Sequence, residues 1–197
     1  MREKIGRIRQ LYDYGFNIPR MLYVPYNSVS QMRGEIVDFL KCSDGTANIR
    51  TYRPGREGFN NPHIVDISVD EVMDVLSELN KIYVCMIDLE HPSHGLYAGN
   101  IQIFDDGTFI LEFCHEPDGG AVVRNANKSV DGTYNKRTRN ITVLVGDELS
   151  KELEHVVRKA FDFDLFSSVI LEWSYQRLPC GVRMVNDIWW EYRDASQ

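Results

Sequence analysis

Glu172 and Glu191, two acidic residues near the end of the chain, have the spacing with the most chemical content. They lie in the segment Val169 to Arg193, whose alternating apolar and polar residues around Gly181-Val182 read as a β-hairpin. A two-residue turn with glycine first is of type II′. It pairs Arg183 with Cys180, Asp187 with Gln176, and Glu191 with Glu172. Leu171, Trp173 and Tyr175 then share a core face with Ile188, Trp190 and Tyr192. The opposite face shows Glu172, Ser174, Gln176, Asp187, Trp189 and Glu191, and is the candidate site. Directly opposed side chains have Cβ atoms about 4.5 to 5.5 Å apart, where two carboxylates repel unless a proton, an arginine or a cation lies between them. Magnesium favours carboxylate oxygens together with substrate phosphates and would resolve the repulsion, pointing to phosphoryl-transfer chemistry. Arg177 or Arg193 beside the pair, or a register slipped by a bulge, would resolve it without a site.

Other reactive residue types are more scattered. His91-Pro92-Ser93-His94, with His115, could suit a metal-dependent hydrolase, but two loop histidines with no carboxylate cluster nearby read as solvated surface. Gly119-Gly120 after Glu116-Pro117-Asp118 reads as a turn, or as an anion-binding nest. Arg53, Arg56, Lys136, Arg137 and Arg139 sit in loops, and the basic loop after Arg50 is the better phosphate candidate among them. Cys42, Cys85, Cys114 and Cys180 have no close pair and read as reduced, mostly buried thiols.

The elements that must position these residues follow from periodicity. Ile5, Ile8, Leu11 and Tyr12 recur at helical spacing from Lys4 to Tyr14, with Gly15 closing the helix. Met21 to Val24 reads as a strand, Val29 to Leu40 as a helix, and Ala47 to Tyr52 as a strand before a loop from Arg53 to His63. Ser68 predicts an N-cap for a helix reaching Lys81, with Glu71 completing a capping box. Strands are expected at Ile82 to Asp88, Gly95 to Phe104, Thr108 to Phe113 and Thr138 to Val145, and a helix from Leu149 to Phe161. The pattern is α+β, with a change of lobe near residue 84 that divides 1–84 from 85–197.

The net charge of −7 argues against nucleic acid as the main partner. No window has the continuous apolar run of a signal peptide or membrane span, so a cytoplasmic protein without a membrane partner is expected. Oligomeric state has no signature here.

Short motifs along nearly the whole chain resemble the nucleotide-binding, ATP-grasp-like domain of the phosphoenolpyruvate synthase and pyruvate phosphate dikinase family. Lys4-Ile5-Gly6 leads to Gly15-Phe16-Asn17-Ile18-Pro19 with the spacing of that domain's opening, and Ile49-Arg50-Thr51 is similar to its Arg-Ser-Ser strand end. The resemblance implies that Lys4 and Arg50 contact nucleotide phosphates. Tyr83 to Asp88 resembles the hinge strand that meets adenine through Met86 and Asp88, although Asp88 departs from the usual glutamine-like residue, and Ala98-Gly99-Asn100-Ile101 resembles the strand that follows. Ile110-Leu111-Glu112-Phe113 is similar to the segment with an acidic residue beside the nucleotide, which gives Glu112 that role. Leu171-Glu172-Trp173 and Glu191-Tyr192-Arg193 resemble the motifs whose acidic and amide side chains hold the metal, with Glu191 in the place of a glutamine.

Two ATP-grasp-like α/β lobes with antiparallel sheets, ATP and Mg²⁺ as cofactors, and a nucleotide partner are what this resemblance implies. Within 197 residues there is no room for the phosphohistidine and barrel domains of the full enzymes, so a complete synthase is not expected. The expected function is an ATP-dependent phosphotransferase or ligase partial reaction, with a partner protein supplying the acceptor. The alternative is a catalytically inactive nucleotide-sensing or protein-interaction module.

Overall fold

The computed structural model describes residues 2–53, 61–90, 95–115, 128–163, 168–180 and 185–194. In chain order they form α1 (Arg2–Asp13), β1 (Met21–Val24), α2 (Arg33–Leu40), β2 (Thr46–Tyr52), β3 (His63–Ser68), α3 (Val69–Leu79), β4 (Val84–Asp88), β5 (Gly95–Ile103), β6 (Thr108–His115), β7 (Lys128–Asn135), β8 (Asn140–Val145), α4 (Lys151–Ala160), β9 (Val169–Cys180) and β10 (Val185–Asp194). The strands make two antiparallel sheets, ordered β1-β4-β2-β3 and β10-β9-β5-β6-β7-β8, so the α+β class holds. Where the sequence suggests a change of lobe near residue 84, the chain groups Pro19–His91 as one compact unit and joins Met1–Ile18 to Pro92–Gln197 as the other.

The Pro19–His91 unit is a four-stranded sheet with α2 and α3 packed on one face. Val72 and Leu76 of α3 and Ile36 and Leu40 of α2 bury against Ala47, Ile49, Cys85 and Ile87. The expected capping box of α3 does not form: Ser68 makes no side-chain cap hydrogen bond. Helix α2 starts at Arg33 rather than Val29, because residues 26–32 turn first. Strand β3 begins at His63, the last residue of the expected loop, and runs to Ser68. It carries a bulge at Asp66, whose φ of 56° breaks the alternation that would have marked a strand. Asn48 braces the bulge, accepting from the Asp66 amide at 3.0 Å and donating to the carbonyls of Asp88 and Glu90.

In the other unit α1 ends in a Schellman motif. The Phe16 amide donates to the Leu11 carbonyl at 3.0 Å and the Gly15 amide to Tyr12 at 2.9 Å, with Gly15 at φ 78°. Phe16 and Leu11 both enter the core of the six-stranded sheet. Helix α4, N-capped by Ser150, which accepts from the Leu153 amide, packs Leu153, Val156 and Val157 onto the same face. Phe16 meets Trp189 and Phe163 edge-on at ring distances of 4.9 and 5.6 Å. No described helix is long and apolar enough to cross a membrane.

Candidate functional site

The strand register places the acidic candidates in one line. Glu112 of β6 is opposite Asn100 of β5, Asn100 is opposite Glu172 of β9, and Glu172 is opposite Glu191 of β10. Directly opposed residues share a face, so the row runs across the sheet on the side away from the core covered by α4. Adjacent strands are about 4.7–4.9 Å apart, which puts Glu112 some three strand gaps, about 14 Å, from Glu191. Accordingly, no three His, Cys, Asp or Glu side chains converge as metal ligands among the described residues.

The opposition of Glu172 and Glu191 holds, but it is reached by a different path from the one the sequence suggests. The proposed turn at Gly181-Val182 lies outside the described residues. Beyond it, Val185 pairs with Cys180, Asp187 with Tyr175 rather than Gln176, and Trp189 with Trp173. Bulges between Val185 and Asp187 and between Trp189 and Glu191 shift the register, the second leaving Trp190 as the extra residue. Trp189 and Asp187 therefore belong to the core face, not the site face. Trp190 instead turns to the site side, donating its indole N–H to the Ser174 hydroxyl at 2.9 Å. Without the second bulge, Glu191 would follow Trp189 into the core.

A cation does stand beside the carboxylate pair, and the side chain of Arg177 lies outside those described. Arg7 of α1 reaches Glu191 at 3.5 Å with both side chains about a quarter exposed, and Lys4 belongs to the same helix, one turn earlier. Arg193 is exposed at a position paired with Ile170.

The remaining candidates share one face of the small sheet, opposite its helices. Arg50 is opposite Met86, and Met86 is opposite Tyr23; Asp88 lies in the next row with Asn48 and Met21. Arg50 and Asp88, read separately from the sequence, are ion-paired with each other, Asp88 fully buried and the arginine a quarter exposed. Both edges of β4 are taken by β1 and β2, so the Met86 backbone lies within the sheet ladders. Glu90, just past the strand, is held by the side chain and amide of Arg20.

His115 ends β6 with its ring 5.0 Å from that of Tyr97, while His91, His94 and Gly119-Gly120 lie outside the described residues. Lys136, Arg137 and Arg139 fall in the exposed turn between β7 and β8. Cys42 is exposed, and Cys85 and Cys114 are buried thiols; burial pushes Cys85 up to about 11.

On the core face, sequence reasoning missed a polar knot. Asp187 accepts from Trp189 Nε1 at 2.8 Å and Asn17 Nδ2 at 3.1 Å, and faces His155 Nε2 at 3.4 Å. Burial works to raise the Asp187 carboxyl, but the hydrogen bonds from His155 and Trp189 with the imidazole charge outweigh it and hold it below its ordinary value. The hydrogen bond to Asp187 holds His155 above its ordinary value, against partial burial. A helical residue 32 positions before its partner leaves no local pattern to find.

No family model matches this sequence, and no curated protein does. Solved structures share its fold. D-alanyl-alanine synthetase A from Vibrio cholerae O1 biovar eltor is 8% identical with a TM-score of 0.52, the match covering 97% of this chain and 54% of that one. VanG D-Ala:D-Ser ligase from Enterococcus faecalis is 11% identical with a TM-score of 0.52, covering 97% and 51%. Carboxyaminoimidazole ribonucleotide synthase from Aspergillus clavatus, complexed with ATP, is 10% identical with a TM-score of 0.51, covering 96% and 43%. The chain thus spans about half the length of the structures it matches. These likenesses show an ATP-grasp fold.

Proposed function

We propose that this protein binds ATP as its magnesium complex and takes part in an ATP-dependent ligation or phosphotransfer reaction. The observation that carries the reading is the opposition of Glu172 and Glu191 across β9 and β10, in line with Asn100 and Glu112, on the face away from the core. The donors fit a hard divalent cation: all are oxygens, and the Asn100 Oδ1 is buried without a hydrogen-bond partner. Glu172 and Glu191 would hold the metal, and a bound Mg²⁺ would neutralise charge on phosphate oxygens.

The ligase chemistry in the names of the solved structures favours ligation over the phosphoenolpyruvate synthase-like transfer that the sequence motifs suggest. Lys4 and Arg50 on phosphate, and Met86, Asp88 and Glu112 beside the rest of the nucleotide, rest on the motif resemblance. The acceptor, supplied by a small molecule or a partner protein, completes the proposal. One observation favours a nucleotide-sensing or protein-interaction module with no catalysis: Arg7 already neutralises Glu191 without a metal.

Calorimetric titration of Mg²⁺-ATP into the wild type, Glu172→Gln and Glu191→Gln tests the reading. Magnesium-dependent binding that is lost in both variants is expected. A wild type that binds no ATP at millimolar concentration overturns it.

A further inference from the structure

Strand β8 is one edge of the six-stranded sheet, and no described element pairs with its outer side. Such an edge presents a row of backbone N–H and C=O groups that another strand can join, and proteins commonly blunt it with charge or proline. Asn140–Val145, of sequence NITVLV, has neither. Its register against β7 skips Leu144, a bulge, but the bulge leaves an apolar side chain exposed rather than a charge. Leu144 is 62% and Val145 63% exposed, the highest values among the described large apolar residues. Ile141 and Val143 pack against the core and hold the strand in place.

Charges of opposite sign stand at the two ends of this edge. Arg137 and Arg139 lie in the exposed turn before the strand, and Asp147 and Glu148 in the exposed bend after it. The strand between them is about 17 Å long, about two Debye lengths at physiological salt, so one chain cannot pair its two ends with each other. Among the described residues none of the four makes a salt bridge. The opposite edge of the sheet is occupied: the Trp189 amide of β10 donates to the Asn17 carbonyl at 2.8 Å, and Arg7 of α1 ion-pairs with Glu191.

We propose that β8 is the surface through which two copies of this chain associate, pairing antiparallel about a two-fold axis that crosses the middle of the strand. That axis sets the basic turn of each copy beside the acidic bend of the other, twice, whereas parallel pairing would set like charges together. It joins two six-stranded sheets into one through backbone hydrogen bonds, shelters Leu144 and Val145, and stops at two copies because the β10 edge is closed. A six-residue edge buries little area, so the dimer is weak, with a dissociation constant in the micromolar range. Glu172 and Glu191 take no part, so the proposal stands apart from the nucleotide reading.

Sedimentation of the full chain across concentration and salt tests it. The wild type should pass from monomer to dimer as concentration rises, and the dimer should weaken with salt. Leu144→Lys with Val145→Lys should weaken it about tenfold or more and leave the melting temperature of the monomer unchanged. Arg137→Glu with Arg139→Glu makes both ends acidic, and Asp147→Lys with Glu148→Lys makes both basic. Each should be monomeric alone, and an equal mixture should form a one-to-one dimer, since every end then meets its opposite. A wild type that stays monomeric at millimolar concentration overturns the proposal, as does a dimer whose affinity none of these changes alters. Should the double lysine variant fail to fold, the mixture decides alone: two charge variants that do not associate with each other overturn it.

Discussion

Replacing Asp187 by alanine should cost the Met1–Ile18 and Pro92–Gln197 unit about 2–4 kcal/mol, by the following argument. Asp187 is 6% exposed and Trp189 is fully buried, so the indole N–H that now donates to Asp187 Oδ2 at 2.8 Å cannot turn to water. Stranding that donor alone costs about 1–3 kcal/mol. Asn17 loses a charged acceptor at 3.1 Å but is only half-buried and can find water, which adds about 1 kcal/mol. His155 is half-exposed, and its share is small. Asp187→Asn keeps one acceptor for Trp189 but turns an N–H₂ group toward Asn17 and His155, so it should cost about half as much.

All three tryptophans, Trp173, Trp189 and Trp190, lie in this unit. Intrinsic fluorescence during urea unfolding therefore reports on it separately from the Pro19–His91 unit, which circular dichroism also sees. With a slope of about 2 kcal/mol per molar urea, the fluorescence midpoint should fall by about 1–2 M in Asp187→Ala. A fall under about 0.3 M, or an equal fall for alanine and asparagine, would refute the reasoning that stranded donors set the cost.

The same knot predicts a pH profile. His155 sits above its ordinary 6.5 in the fold, so its contribution is full below 6.5 and is lost as pH rises through the folded value. Asp187 sits below its ordinary 3.8, so its contribution holds above 3.8 and is lost as pH falls through the folded value. The fluorescence midpoint should therefore be highest between about pH 4 and 6.5, and its decline on the alkaline side should vanish in His155→Gln. Gly99→Ala should fail to fold or lose more than about 3 kcal/mol, because its Cβ would stand 1.9 Å from the Glu112 carbonyl oxygen and 2.8 Å from the Phe113 Cα. Soluble yield and the fluorescence midpoint check it, and near-wild-type stability would contradict the close approach of β5 and β6. Arg50→Met should destabilise the Pro19–His91 unit by about 2–4 kcal/mol by removing the guanidinium paired with the buried Asp88 carboxylate, while Arg50→Met with Asp88→Leu recovers most of that. Circular dichroism melts distinguish the two, and an equal loss in both would count against the pair.

What the sequence made legible was whatever local chemistry determines. The apolar spacing of α1 and Gly15 after it announced a Schellman end, and β4, β5 and β6 are apolar enough to be read directly. Strand β7 was missed because Asp131-Gly132 reads as a turn, yet Gly132 is required inside the strand: a Cβ there would stand 2.6 Å from the Phe109 ring and from the Thr142 carbonyl oxygen. In the hairpin, the pair Glu172 and Glu191 came out right although the intermediate pairs did not, because Cys180 pairs with Val185 rather than Arg183 and the register shifts early in β10 and at Trp190 together cancel that offset. Bulges cannot be counted from residue types, so the faces of Asp187 and Trp189 were inverted. Asn100 carried no signal of its own; only the register of three strands brings it beside Glu172.

The long reach between α1 and β10 bears on how the chain is made. Gln10 and Tyr192 hydrogen-bond across 182 positions, so α1 leaves a ribosome well before the strand it docks against. At about 5–20 residues per second, that delay is about 10–40 s. In the meantime residues 19–91 can close on their own core, whereas Leu11 and Phe16 wait for the sheet that will bury them. Until β10 is made, the nascent chain thus carries an unsheltered apolar surface on α1, which makes that helix a natural foothold for a holding chaperone and β10 the step that commits this unit to fold.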